Sequence, residues 1–527
     1  MPDPRARFPW WIPLGAVVVA LGFARTLVAP FDFIDDGNLV YPAPAGTSAE
    51  GHAQLWWANV AANVDHLGPF RPTLWMHWHA QANLFGADPL VWRAYRLALC
   101  ALAAGMLLWL MRELRVPAPA ALFATAAAMW NPYRSEIWTS LTLSEGGAMP
   151  YALFGLIAAR RAARSAHPLW WDVTGALAVL VALGCKNTFA ALVPAQVLLR
   201  IWADDLSPRD ALRRNAARAA ALALTLTLPV AHFVYFKLNW HPGQYEPTAP
   251  SLAQTVVVLK GLKGGMGLDF LGAGVVAALI VVVRARGELR EFRAALACGA
   301  VLAGAGAAVY LPMAGFSGRY AMPAAWGLDV LFAVLLAALL RAPRCLGRTS
   351  AFVLLFVGLT AVLIATVHKQ EKAAARARML WAVVHHLETS APTGATVAWI
   401  SGDPARGELG VEEGIHVQWH LANRGRGDIR ITLLDLNEQP LPRVEVRAGA
   451  GAPMFRIAAA REAGVAWEPD RDFGAAYQFG RKRYDCHISR RPRAVVRDVV
   501  QVDGRGPPSE SITSGEGRNR VQRIDQP

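Results

Sequence analysis

Phe31-Asp32-Phe33-Ile34-Asp35-Asp36-Gly37-Asn38-Leu39-Val40-Tyr41 follows directly on an apolar run from Trp10 to Pro30. The chain therefore leaves a segment long enough to enter a bilayer with three carboxylates in five residues. A carboxylate at a bilayer surface loses hydration and gains nothing from lipid, so an acidic pair there points to function. The plainer alternative is that Asp35 and Asp36 cap a short helix where the chain enters water.

Working outward, apolar runs recur as far as Val367, after which the composition turns to mixed polar sequence. With 527 residues, 54% hydrophobic and 17% charged, the chain is too apolar for an ordinary soluble protein. Eleven membrane spans are predicted, at about 10–30, 92–111, 117–130, 148–160, 169–185, 188–202, 217–237, 269–284, 294–312, 322–340 and 349–367. The fold expected is a polytopic all-α membrane domain over residues 1–368. A small β-rich or α/β extracytoplasmic domain over 369–502 and a disordered tail over 503–527 should follow. The first apolar run is long and no small-residue cleavage site precedes Phe31, so it is expected to remain as a span.

A net charge of +14 is common in nucleic-acid binders, but here much of it sits in short loops between apolar runs. If the N-terminus is cytoplasmic, alternate loops carry Arg112 and Arg115; Arg160, Arg161 and Arg164; Arg209, Arg213, Arg214 and Arg218; Arg284, Arg286, Arg290 and Arg293; and Arg341, Arg344 and Arg348. The excess of arginine on the cytoplasmic side then predicts an inner-membrane protein with its N-terminus inside and its C-terminal domain outside. Cys100, Cys185, Cys298 and Cys345 fall in or beside apolar runs, and Cys486 stands alone in the tail domain. No pairing or metal spacing joins them, so they are expected to be inert.

The loops assigned to the outer face differ in character. The first, about 31–91, carries Trp56-Trp57 and Trp75-Met76-His77-Trp78, which suggest helices lying in the membrane interface. The same face collects acids (Asp35, Asp36, Glu136) and cations (Arg71, Lys186, Lys260, Lys263, Arg319). Cations outside run against the topological bias, and binding an anion is the simplest reason for them. The mixture suits removal of a group from a phosphate: a carboxylate takes the proton of an incoming hydroxyl while Arg and Lys stabilise the departing charge.

Five stretches also carry a resemblance. The acidic pair Asp35-Asp36 resembles the first-loop motif of GT-C glycosyltransferases, polytopic enzymes that take sugars from polyprenyl-phosphate carriers. Phe70-Arg71-Pro72-Thr73-Leu74, then Asn83-Leu84-Phe85-Gly86-Ala87-Asp88-Pro89 and Tyr95-Arg96-Leu97, is similar to the run into the second span of family-39-like bacterial enzymes and TPR-bearing O-mannosyltransferases. Asn131-Pro132 with Glu136, Lys186-Asn187 with Pro194, and Arg319-Tyr320 with Pro323 resemble further motifs of that branch, in the same order. Asn131 stands where the branch usually has His and Asn187 where it usually has Glu; no TPR period occurs in the tail.

The resemblance, which covers about residues 10–340, implies transfer of a sugar from a polyprenyl-phosphate-linked donor to an envelope glycan, lipid or protein. It implies Asp36, with Asp35, as the base or acceptor-site carboxylate, Glu136 as a second acid, and Arg319 and Lys186 at the lipid phosphate. Arg71, Lys263 and Tyr320 complete the expected phosphate-binding set. Displacement from a polyprenyl monophosphate requires no cofactor; a divalent metal is possible but nothing in the sequence indicates one.

Smaller signals are weighed against this. His77 and His79 are two apart and do not share a helix face, which speaks against a metal pair. Gly261–Gly267 has neither the preceding strand nor the spacing of a phosphate loop and reads as a flexible turn. His241, Tyr245 and Glu246 lie in a long outer loop and could touch substrate, although most loop residues are only solvated. In the tail, Glu371–Glu388 reads as an amphipathic helix and Ala395–Ile400, His416–Leu421 and Asp428–Leu434 as strands. Two other readings stay open: a transporter or flippase for a lipid-linked or anionic substrate, and an inactive relative that scaffolds an envelope assembly. A transporter should place its polar residues in mid-membrane, often on repeat-related broken helices.

Overall fold

The computed structural model describes residues 9–31, 47–67, 70–141, 144–202, 208–227, 231–232, 251–284, 289, 291–311, 322–391, 393–394, 396–401, 411–435, 474–479 and 482–487. Two compact units divide the chain: Met1–Val28 with Thr47–Glu371, and Ala29–Gly46 with Lys372–Pro527.

The regular secondary structure among the described residues of the first unit is all helix. In chain order it contains α1 (Trp11–Leu21), α2 (Ala49–Leu67), α3 (Pro72–Phe85), α4 (Pro89–Glu113), α5 (Ala118–Met129), the one-turn α6 (Glu136–Thr139), α7 (Ser144–Ala162) and α8 (Pro168–Cys185). After these come α9 (Leu192–Ile201), α10 (Pro208–Ala223), α11 (Leu252–Gly265), α12 (Leu268–Arg284), α13 (Arg293–Tyr310), α14 (Ala324–Arg341) and α15 (Leu346–Ser390). Local chemistry starts several of them. Asp88 caps α4 by accepting from the Leu90 amide, and Pro stands in the first turn of α3, α4, α5 and α8, where its missing N–H costs nothing.

Among the described residues α4, α8, α13, α14 and α15 are long and apolar enough to cross a membrane. The pair α11–α12 would make one more span, bent by 82°. These helices bury one face and leave another apolar face outward: Val276, Leu279, Ile280 and Val283 on α12, and Val353, Phe356, Val357 and Ile364 on α15, are all exposed. Large aliphatic residues in continuous outward rows suit a lipid solvent rather than water. Small residues let the backbones close up between them. A Cβ added at Gly327 of α14 would lie 2.4 Å from the Gly299 carbonyl oxygen of α13, so only glycine allows that approach.

The eleven predicted spans overlap helices among the described residues, the seventh only over 217–227 and 231–232, but no more than six of them are long and apolar enough to cross a membrane, and several have different limits. The first helical run stops at Leu21 and continues as a 3-10 turn, Ala24–Val28. The fourth lies in α7, which is almost wholly buried. The seventh begins inside α10, which starts at Pro208 as an arginine-rich helix. The eleventh span and the helix expected at Glu371–Glu388 are one 45-residue helix, α15, because no Gly or Pro interrupts residues 359–390. Gly261–Gly265 is helical, and the chain turns only at Met266–Gly267. The Trp-rich stretch after the first apolar run is helical where it is described, as α2 and α3.

In the second unit, α15 ends and β1 (Thr396–Ser401), α16 (Val411–Leu421) and β2 (Arg430–Asp435) follow, then a hairpin of β3 (Gly474–Phe479) and β4 (Lys482–His487). β1 and β2 pair in parallel with Thr396 opposite Arg430; β3 and β4 pair antiparallel with Tyr477 opposite Tyr484. The strand expected at His416–Leu421 is instead the end of α16. Its apolar alternation of Ile415, Val417, Trp419 and Leu421 also satisfies a four-residue spacing, and His416/His420 and Val417/Leu421 are buried as helical pairs. A parallel strand pair needs a crossover, and α16 supplies it. Gln418 locks the crossover to β2, donating to Ile429 O at 2.8 Å and accepting from the Ile431 amide at 2.6 Å. Phe31 belongs to this unit: its carbonyl accepts from Trp381 at 3.0 Å and its ring stacks on His420. The tail from residue 503 lies outside the described residues.

Candidate functional site

α4 defines the two ends of the first unit, which its 25 residues place about 37 Å apart. At its C-terminal end Glu113 pairs with Arg161 at 2.6 Å and Arg164 at 3.5 Å, so two arginine-bearing loops meet there. At its N-terminal end Arg93 and Arg96, both buried, donate to the carbonyls of Thr139 and Leu141. These two contacts hold the far end of segment 131–141, which carries Glu136.

The near end of that segment is held as firmly. Asn131, fully buried, donates to Gly264 O at 3.0 Å and Gly265 O at 2.7 Å. Arg134 makes a bidentate pair with Asp329 of α14, 2.7 and 2.8 Å, with both side chains buried. Lys369 donates to Pro132 O at 2.9 Å. Glu136 begins α6 half-buried, between these anchors. Pairs that bury charge so completely add little net stability, but they fix a loop in one geometry because breaking any of them strands a charge.

Lys186 follows directly on the C-terminus of α8. Its ammonium pairs with Glu145 at the start of α7, and the two side chains are 8% and 2% exposed. Ser144 donates to the other Glu145 oxygen at 3.2 Å. The turn that carries Glu145 is packed without slack: a Cβ at Gly146 would meet Arg96 Nη1 at 2.2 Å and the Ile137 carbonyl at 3.2 Å. Segment 131–141 and the Lys186–Glu145 pair therefore touch through Ile137 and Gly146. Arg71, at the N-cap of α3, is in electrostatic range of Cys185, the neighbour of Lys186 in sequence. On the other flank, Lys263 pairs with Asp269 at 2.5 Å, and Tyr133 donates to the same carboxylate at 2.8 Å. That hydrogen bond raises the Tyr133 hydroxyl above its ordinary pKa. Lys263 is the more exposed of these cations, at 58% of its side chain.

Of the residues expected at the site, Glu136 lies on segment 131–141, Lys186 pairs with the turn packed against that segment, and Lys263 shares Asp269 with Tyr133, while Arg71 is placed only near Cys185. Asp35, Asp36, Arg319 and Tyr320 lie outside the described residues, as do His241, Tyr245 and Glu246. Sequence reading passed over Glu145, Arg96, Arg134 and Asp329. The Ser144-Glu145-Gly146-Gly147 step at the mouth of the fourth span was the available signal, an acid beside two residues without side chains.

His77 and His79 turn to opposite sides, as their spacing requires. His77 shares a 2.5 Å hydrogen bond with the Tyr95 hydroxyl, and burial, with Arg96 nearby, lowers its pKa to about 4. His79 contacts His52 at 3.1 Å and Asn59 at 2.9 Å; burial and then His52 lower it to about 4. Among the described residues no group of three or more His, Cys, Asp or Glu is placed to hold a metal ion.

No protein-family model matches the chain, and no curated protein matches it. Solved structures similar to it include two bound to lipid phosphates. ArnT from Cupriavidus metallidurans, bound to undecaprenyl phosphate, is 14% identical with a TM-score of 0.49, over 92% of this chain and 98% of that one. The archaeal oligosaccharyltransferase AglB from Archaeoglobus fulgidus, in complex with an inhibitory peptide and a dolichol-phosphate, is 13% identical with a TM-score of 0.41, over 78% of this chain and 63% of that one. Likenesses this distant set neither the family of this chain nor its chemistry.

Proposed function

We propose that the chain is an integral-membrane glycosyltransferase of the GT-C type, moving a sugar from a polyprenyl-phosphate-linked donor to an extracytoplasmic glycan, lipid or protein. The observation that supports this best is the rigid segment 131–141. It carries Glu136, its Ile137 carbonyl lies against the turn that bears Glu145, the partner of Lys186, and its Tyr133 shares the Asp269 carboxylate with Lys263, all away from the Glu113 arginine cluster. Acids and cations fixed at one end of an apolar bundle suit chemistry on a lipid phosphate better than passage through mid-membrane.

In this reading Asp36, with Asp35 beside it, takes the proton of the acceptor hydroxyl. The acceptor oxygen bonds to the anomeric carbon as the bond from that carbon to the phosphate oxygen breaks, and the electron pair leaves with the phosphate. Arg319, Lys186, Arg71 and Lys263 stabilise that charge, with Tyr320 as a further hydrogen-bond donor. Glu136 is the second acid. Lys186 reaches the phosphate by exchanging Glu145 for it. The arginine-rich loops face the cytoplasm, the second unit faces outward, and the membrane is the bacterial inner membrane.

The test is transfer of labelled sugar from a polyprenyl-phosphate donor in membranes carrying each variant at matched expression. Asp36→Asn should lower the rate by about 10²–10⁴, the usual cost of a lost general base, and Asp35→Asn by less. Wild-type rates in both variants would end the catalytic reading of this pair.

A further inference from the structure

α10 was expected to lead into a membrane span, yet its composition is that of a surface helix. Pro208-Arg209-Asp210-Ala211-Leu212-Arg213-Arg214-Asn215-Ala216-Ala217-Arg218 places four arginines in ten residues. The helix has one buried stripe, Ala211, Asn215, Ala219 and Leu222, spaced to share a single face. That stripe is seated on α9: Arg200 donates to Asn215 at 2.7 Å, and Asn215 reaches back to Ile201 O at 3.5 Å. Arg200 is itself held by Asp172 of α8 at 2.6 Å. α10 is therefore pinned along one side to the ends of α8 and α9. Arg160 of α7 donates to Trp202 O at 2.6 Å, just past the end of α9, so α10 belongs to the end of the bundle where Glu113 gathers Arg161 and Arg164.

The opposite side of α10 is exposed. At about 100° per residue, Arg209 and Arg213 line one edge of it and Arg214 and Arg218 the other. Ala217 and Ala221 run between the two edges, with Asp210 as the acid on that face. Among the described residues none of the four guanidinium groups makes a hydrogen bond or ion pair. By contrast, Arg161, Arg164 and Arg200 at the same end each have a carboxylate partner. A strip of Ala217 and Ala221, with Asp210 only in the first turn, flanked by two rows of long cationic side chains fits a membrane interface. The alanines face the acyl boundary while the arginine stems reach up to headgroups.

We propose that α10 is an in-plane helix that binds anionic phospholipid headgroups through Arg209, Arg213, Arg214 and Arg218, in the leaflet at the Glu113 end of the bundle. The committed partner is the lipid phosphate because, among the described residues, none of the four guanidinium groups has a carboxylate partner, and they lie in two parallel rows at the end of apolar helices where headgroups must be. Each arginine near an anionic bilayer contributes up to about fivefold to such binding, and much less around a chain in detergent, where no continuous charged surface is present and salt screens it.

The full chain in mild detergent is offered phosphatidylglycerol and phosphatidylcholine in equal amounts, and retained lipid is counted by native mass spectrometry. Wild type should prefer phosphatidylglycerol by about tenfold. A variant with Arg209→Gln, Arg213→Gln, Arg214→Gln and Arg218→Gln should fall to about twofold or less while eluting as the wild type does. Lysine at all four positions should keep most of the preference, since surface attraction needs charge and not the guanidinium fork. An unchanged ratio in the glutamine variant, no preference in wild type, or loss of preference in the lysine variant would each overturn the proposal. The result does not depend on any transferase activity.

Discussion

The pair of Lys186 with Glu145 separates a structural role from a functional one more sharply than any other contact at the site. Both side chains are nearly inaccessible, 8% and 2% exposed, so neither charge can recover its hydration when its partner is removed. Glu145→Gln or Lys186→Met alone should therefore cost about 3–5 kcal/mol of stability, the range for stranding one member of a buried pair. Combining the two removes both charges, keeps similar volume, and should return stability to within about 1 kcal/mol of wild type. Activity should not follow stability. If Lys186 exchanges Glu145 for the donor phosphate, the double variant folds yet lacks a charged hydrogen bond worth about 1.5–3 kcal/mol, or roughly 10–150-fold in kcat/KM for the donor. The assay is thermal inactivation in detergent alongside donor-dependent transfer for wild type, both single variants and the double. Recovery of both stability and transfer in the double variant would show the pair to be purely structural and would remove Lys186 from the phosphate site.

Three further outcomes are expected. Arg319→Ala should weaken donor binding and Arg319→Lys restore only part of it, because a point charge lacks the bidentate fork; full activity in Arg319→Ala by donor titration would exclude it. Asn131→Ala removes the side-chain donor from the Gly265 carbonyl and leaves Gly264 O only the Gly267 amide, and should cost about 1–3 kcal/mol in a melting experiment, freeing the segment that holds Glu136. Burial lowers both His77 and His79 to about 4 from 6.5, so the unfolded chain binds more protons than the folded one between those values. Stability from these residues is complete above about pH 6.5 and is lost as pH falls towards 4. Melting temperatures at pH 7.5 and 5 should show the drop, and His79→Gln should reduce it.

How much of this was legible in the chain depended on the range of the interaction concerned. Apolar runs of span length, the prolines and Asp88 that start helices, and the interfacial tryptophans of α2 and α3 act through neighbours in sequence. The described helices at the predicted positions follow from such signals, although only five or six are long and apolar enough to cross a membrane. The strand expected at His416–Leu421 failed because its spacing satisfies two periods at once, and only the parallel pairing of β1 with β2 selects the helix. Charge asymmetry among the loops was likewise visible in the sequence, since counting arginines needs no coordinates. What could not be read was partnership. Lys186 and Glu145 are 41 residues apart, and Arg134 and Asp329 are 195 apart. Each of these charges had several possible partners in the chain, and the choice was made by which helix ends the packing of α7, α8 and α14 brings within 3 Å in a medium that tolerates no unpaired charge. For the same reason the sequence marked Lys186 as an outward cation, while the tertiary structure alone shows it already holding a carboxylate. The four arginines of α10 are the converse case, equally plain in the sequence, but set apart from their neighbours only because the fold gives partners to Arg161, Arg164 and Arg200 and presents these four to the surface.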